Sequence, residues 1–193
     1  PLNRYLQVTD VVVANNSWVN CVSPWQFGVG SNVDQKDILP KSEIRSATPI
    51  RTIVANNLIY NETPDKQPIV THDSIDGILF KSNMINNQGG IFKTVDGLIQ
   101  EDIAMTVAKG DILMPEKTMP DFKLYHGFEF DQIKTDLFGS PRADHNMVGA
   151  VVEKPSDKSD MMNISLYGPD WYKKDTAKNS LTKTHTAATT TCL

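Results

Sequence analysis

Two cysteines, Cys21 and Cys192, are all that this 193-residue chain contains. That is too few for a disulfide scaffold or a cysteine-only zinc site. The two could pair with each other, but two separate thiols in a reducing compartment is the preferred reading. No run approaches the ~18 consecutive apolar residues of a membrane helix. No basic region followed by an apolar stretch marks a signal peptide near the start. Excess positive charge is also missing: the formal net charge is -4, which argues against a general nucleic-acid binder. The chain begins at Pro1 rather than Met, so it reads as processed, recombinant or part of something longer. A free N-terminal proline can act as a base, but a boundary of the chain is the plainer explanation.

Catalytic signatures are missing too. There is no Gly-x-Ser-x-Gly, phosphate loop or dinucleotide fingerprint. Gly28-Val29-Gly30 lacks the third glycine and the following helix, so it reads as a turn. Acidic pairs such as Asp34/Asp37 and Asp157/Asp160 lack the glycine and closing glutamate of a calcium loop. No cofactor is implied. The four histidines are His72, His126, His145 and His185. His72-Asp73 and Asp144-His145 are adjacent pairs, and neighbours on a strand point opposite ways. A metal site from these four residues would have to be assembled across loops. Cys21 with His72 or His126 is a conceivable nucleophile and base that nothing in the sequence favours. The sequons at Asn15, Asn61 and Asn163 arise easily in a chain rich in Asn, Ser and Thr.

What is present is a series of short β-branched runs broken by turn residues. Val11–Ala14 and Trp18–Val19 flank Asn15-Asn16; Ile53–Ala55 and Leu58–Tyr60 flank Asn56-Asn57. Asn tolerates positive φ, so each Asn-Asn reads as a tight hairpin turn. The shared Val-Ala-Asn-Asn could mark a duplication, yet the match fades within a few residues and reads as chance. Asp76-Gly77 and Asp96-Gly97 are two further hairpin cues. The second competes with a helix from Asp96 to Ala108, since Ile99, Ile103 and Val107 fall on one helical face; helix is slightly preferred. Ile112–Met114 reads as a strand. Phe122, Leu124, His126, Phe128 and Phe130 alternate at period two, as in a half-buried strand. A short helix capped by Asp131 and strands at 147–153 and 161–167 follow. Segments 31–49 and 61–71 read as long loops.

Parallel strands need a long crossover, usually helical, and helices are scarce here. The expected fold is therefore all-β, or β-dominated with one or two short helices: an antiparallel sandwich, jelly-roll-like, or an irregular barrel with long loops. The expected organisation is a β-rich domain over 1–172 and a polar, basic, Thr-rich arm over 173–193. Lys173, Lys174, Lys178 and Lys183 face only Asp175 in that arm, a formal +3 that leaves -7 on the rest. Such an arm holds little apolar surface and needs another surface to order it.

These features suggest a non-enzymatic assembly protein. The expected role is a subunit of a virion or similar particle, such as a capsid, shell or tail component, self-associating through its arm. Candidate interface residues are Trp25, Phe27, Trp171, Tyr172, Lys173, Lys174, Leu181 and Leu193, because aromatic residues dominate interface anchors. A carbohydrate- or receptor-binding sandwich is the alternative, and a β-rich hydrolase with loop-borne His and Asp the second.

Overall fold

Val13-Ala14-Asn15-Asn16 and Val54-Ala55-Asn56-Asn57 lie directly over one another. Val13 pairs with Val54 and Ala14 with Ala55, in parallel. This single register organises the molecule. The structure is a computed structural model and describes residues 7–46, 48–63, 67–86, 95–117, 122–128, 133–142 and 146–157. Within these lie strands β1 (Val12–Ala14), β2 (Ser17–Val19), β3 (Trp25–Phe27), β4 (Thr52–Ala55), β5 (Leu58–Tyr60) and β6 (Ile69–Thr71). Then come β7 (Ile78–Lys81), β8 (Asn83–Asn86), β9 (Leu98–Gln100), β10 (Met105–Lys109) and β11 (Ile112–Pro115). The helical content of these segments is two single 3-10 turns, Val33–Gln35 and Lys41–Glu43.

The strands form three parallel stacks, ordered β1-β4-β7, β2-β5-β8-β9 and β3-β6. From β1 to β8 consecutive strands enter different stacks, and successive coils pair strand on strand. That is a parallel β-helix, a solenoid of strands. One circuit separates residues 41 positions apart in the first step and 26 apart in the next.

The all-β expectation stands, but the antiparallel sandwich or jelly-roll expectation does not. Antiparallel strand pairing is confined to the β10–β11 hairpin among the described strands. The reasoning failed because a crossover need not be a helix. Here the rest of each coil is the crossover, and it is long enough to bring the chain back parallel. The Asn-Asn dipeptides are accordingly corners between sheets rather than hairpin turns, and their repeat is structural rather than accidental. The preferred helix over 96–108 is also corrected: β9 and β10 occupy most of that span. Ile99 and Val107 are exposed while Ile103 is buried, so the three do not share a buried face. Residues 122–128 join no sheet, residues 133–137 are not helical, and 147–153 form no strand.

Inside the coils lies one core: Trp25, Val54, Ile59, Ile69, Ile78, Phe80 and Ile85, with Val13, Trp18 and Phe27 packed against it. Trp25 meets Trp18 edge-on at 5.7 Å and Phe80 at 5.9 Å. Trp25 is only 4% exposed, so it is a core residue rather than the surface anchor expected. Phe27, half-buried, packs on the same cluster. The other interface candidates, Trp171 to Lys174, Leu181 and Leu193, lie outside the described residues, as does the arm.

The opposite face of β5 and β8 is covered as well. Leu58 and Met84 alternate with Ile59 and Ile85 along their strands and pack against Ile103, Phe122 and Val148. A third cluster, around Met114, Phe138, Met147 and Val151, joins the hairpin to the segments that follow. Gly149 permits this close approach: a Cβ there would lie 2.5 Å from Ser17 Oγ and 3.2 Å from Leu58 Cβ. Among the described residues no helix is long and apolar enough to cross a membrane.

Candidate functional site at the asparagine corner

Each coil turns from the first stack into the second through one residue with positive φ. Asn15 (57°), Asn56 (57°) and Ser82 (51°) fill this column, and Gly97 (80°) precedes β9. Left-handed backbone is strained for most L residues, and Asn and Gly tolerate it best. That is why Asn recurs here. The column is laced by its own backbone bonds, Asn15 N to Ala55 O and Asn56 N to Lys81 O, both 3.1 Å.

The adjoining column is Asn16, Asn57 and Asn83. Asn57 Oδ1 accepts from Asn16 N at 2.9 Å, and Asn57 Nδ2 donates to Val13 O and Asn83 Oδ1 at 2.8 and 2.9 Å. Asn83 Nδ2 donates to Val54 O at 2.7 Å. These amides are the polar interior of the corner. Asn57 and Asn83 are both fully buried, so each bond replaces one that water would otherwise supply.

Segment 122–128 crosses this corner. Tyr125 N donates to Asn56 Oδ1 at 2.8 Å, and Asn56 Nδ2 donates back to Tyr125 O at 2.9 Å. Ser82 Oγ donates to Lys123 O at 2.7 Å. Between segment and corner is a cavity of about 340 Å³, lined by Asn15, Asn56, Leu124, Tyr125, His126, Phe128, Ile133 and Arg142. Tyr125 and Phe128 meet edge-on at 5.3 Å, and Tyr125 Oη donates to Gly127 O. His126 is exposed at the rim.

Arg142 is buried and donates to three carbonyls: Thr135 O at 3.1 Å, Gly149 O at 3.0 Å and Ala150 O at 3.1 Å. Burial lowers the pKa of its guanidinium, and the negative charge of Asp136 works against that shift. Asp136, 1% exposed, accepts from Phe138 N, Ser140 N and Val152 N.

Two other concavities are present. One, on the outer side of β1-β4-β7, is flanked by the Asp10–Arg51 pair and Asp76. The other, about 260 Å³ and largely apolar, is lined by Met84, Ile103, Phe122 and Met147 with Asp102, Glu116 and Lys117. The corner cavity alone of the three brings a histidine and a tyrosine together with amides and a guanidinium. It can therefore bind hydroxyl or carboxylate groups and offers groups able to move a proton.

The residues singled out from sequence are scattered. His72 and Asp73 follow β6, where Asp73 accepts from Ser46 Oγ at 2.7 Å. Cys21 is buried after β2, with Sγ 3.7 Å from Val19 O. Asp144, His145 and Cys192 lie outside the described residues. Among the described residues no group of three or more His, Cys, Asp or Glu could hold a metal. Of the three sequons, Asn15 and Asn61 are buried and closed to a glycan, and Asn163 lies outside the described residues. His126 alone of the earlier candidates lines the cavity. Tyr125, Asn56 and Arg142 carried no motif, and Asn15 only a sequon; the repeated Val-Ala-Asn-Asn was the one available signal for the corner.

Comparison with known proteins adds a family. The family model described as Chondroitinase B matches residues 1–131. No curated protein matches the chain. Among solved structures, the PL6 family alginate lyase AlyGC is 34% identical over 59% of this chain, with a TM-score of 0.46. A single-substitution mutant of that lyase is 33% identical over 61% of the chain, also with a TM-score of 0.46. In both cases the match spans 14% of the other chain. The family match overturns the expected virion or shell subunit, and with it the expectation of a non-enzyme. The shortage of catalytic motifs was no ground for a non-enzyme, because residues gathered across coils leave no compact signature in sequence.

Proposed function

The chain belongs to the chondroitinase B family, and from that premise we propose that it forms part of a polysaccharide lyase. The observation that carries this reading is the family match over residues 1–131. The corner cavity supports it with suitable chemistry. Lyase cleavage of a uronate-containing chain is a β-elimination. A base takes the proton on the carbon next to the carboxylate, a carbon–carbon double bond forms, and the C–O bond to the leaving sugar breaks. An acid then returns a proton to the leaving oxygen. Such a site needs positive or hydrogen-bonding groups at the carboxylate and a proton carrier beside the ring.

His126 and Tyr125 are the proton-carrying groups of the corner. The Asn15 amide offers hydrogen bonds, and Arg142 supplies positive charge to the lining. The test is to incubate the purified chain with chondroitin sulfate, dermatan sulfate and alginate separately. Cleavage is read by the ultraviolet absorbance of the unsaturated uronate product, and binding by affinity electrophoresis. Retardation by at least one polymer with growth of absorbance is expected, reduced tenfold or more in His126→Ala. Binding without new absorbance would overturn the lyase chemistry, and no binding at all would overturn the polysaccharide reading.

A further inference from the structure

The segment that carries Tyr125 and His126 is held in an unusual way. Among the described residues, 122–128 makes no backbone-to-backbone hydrogen bond outside itself and joins no sheet. From Phe122, which is buried, to the half-buried Leu124 and Tyr125, its backbone groups still require partners. Side chains supply them. At one end Asn146 Oδ1 accepts from Leu124 N at 3.1 Å, and Asn146 Nδ2 donates to Phe122 O. At the other, Asn56 bonds both Tyr125 N and Tyr125 O. Ser82 takes Lys123 O between them. A primary amide offers one C=O and one N–H side by side, as a neighbouring strand would. Each asparagine thus stands in for a missing strand partner.

We propose that Asn56 and Asn146 are positioning residues that clamp segment 122–125 and so hold Tyr125 and His126 at the corner cavity. This rests on the lyase reading above. The two amides come from different parts of the fold. Asn56 sits on the corner column of the solenoid, and Asn146 on the segment whose neighbours Met147 and Val148 pack in the outer clusters. The strap is therefore tied to both layers, and its placement reports their relative position. Displacing a reacting group by about 1 Å can cost a hundredfold in rate, even when the change lies away from the chemistry.

Asn56→Gly is the informative variant. Glycine adopts the positive φ of 57° found at Asn56 without strain, so the corner is kept and only the amide is removed. Asn146→Ala removes the other clamp and keeps the test decidable should the first variant fail to fold. Amide exchange at Tyr125 and Leu124 is measured with kcat and KM on whichever polysaccharide the wild type cleaves. Expected are at least tenfold faster exchange at Tyr125 in Asn56→Gly and at Leu124 in Asn146→Ala. With these, kcat falls ten- to a hundredfold while KM stays within about threefold. Unchanged exchange overturns the clamp. Faster exchange with unchanged kcat overturns the positioning role alone. A wild-type chain that turns over no polysaccharide overturns the lyase reading instead, and the exchange data still decide the clamp.

Discussion

Asn57 Nδ2 donates to Asn83 Oδ1 at 2.9 Å across two coils of the solenoid, and neither side chain has any exposed surface. The same Asn83 oxygen also accepts from Asn57 N at 3.1 Å. Truncating Asn57 to alanine would strip partners from Asn16 N and Val13 O and leave Asn83 Oδ1 with Asn57 N alone. Each orphaned buried group costs about 1–3 kcal/mol, so Asn57→Ala should lose roughly 3–5 kcal/mol. A urea melt with an unchanged slope and a lower midpoint is the expected record. A loss below about 1 kcal/mol would mean that water replaces the ladder.

Gly149 is where the outer layer touches the solenoid wall. Its φ is 93°, and the Cβ of an alanine would press on Ser17 Oγ and Leu58. Gly149→Ala therefore combines strain with overpacking, together about 2–4 kcal/mol. Ser17→Ala tests the same junction from the other side. It removes the acceptor for Ala150 N at 2.9 Å and should cost about 1–2 kcal/mol. Thermal melts of both single variants and the double variant measure the coupling; simple additivity would show that the two residues do not act at one contact.

Asp136 has two oxygens and three backbone donors, from Phe138, Ser140 and Val152, and its charge faces buried Arg142. Asp136→Ala leaves those donors and a buried cation uncompensated. A loss of about 3–5 kcal/mol is expected, with calorimetry showing whether residues 135–152 melt apart from the coils. Arg142→Met should cost a similar amount, since it takes a donor from Thr135 O, Gly149 O and Ala150 O and removes the cation that faces Asp136.

Asp10 and Arg51 form a two-pronged pair, Nε to Oδ1 at 2.6 Å and an Nη2 bond to Oδ2 at 2.7 Å. The Arg51 hydrogen bond, first, and its charge hold the Asp10 carboxyl below its ordinary range. A carboxylate with a depressed folded pKa stabilises above its unfolded pKa of about 3.9, and that contribution fades as pH falls through the lower folded value. The pair is exposed, with side chains 66% and 59% accessible, so the effect is small and salt-sensitive. NMR titration of the Asp10 carboxyl should give a midpoint below 3.9 that rises in Arg51→Ala. An unmoved midpoint would show that the pair does not persist in solution.

Much of the local structure was legible in the sequence. Ile53–Ala55, Leu58–Tyr60 and Ile112–Met114 read as strands because β-branched and aromatic residues cluster there, and strands they are. Their direction was not legible. A three-residue strand carries no mark of whether its neighbour runs with it or against it; that is set by how much chain returns before the next pairing. The Asn-Asn corners show the same limit. Positive φ was foreseeable from residue type, but a hairpin turn and a solenoid corner make the same local demand. The period-two pattern of Phe122 to Phe128 suggested a strand partner, and the partners turned out to be the amides of Asn56 and Asn146.

The sequence by itself determined a β-rich chain with left-handed turns at Asn15 and Asn56, because those are properties of single residues and short runs. Only the tertiary structure decided that Asn56, Tyr125 and Arg142 line one cavity. Residue Asn56 bonds the backbone of Tyr125 across 69 positions of sequence. Contacts at such separation follow from the stacking of coils and the packing of Leu58 and Met84 under the outer layer, and local propensity cannot encode them.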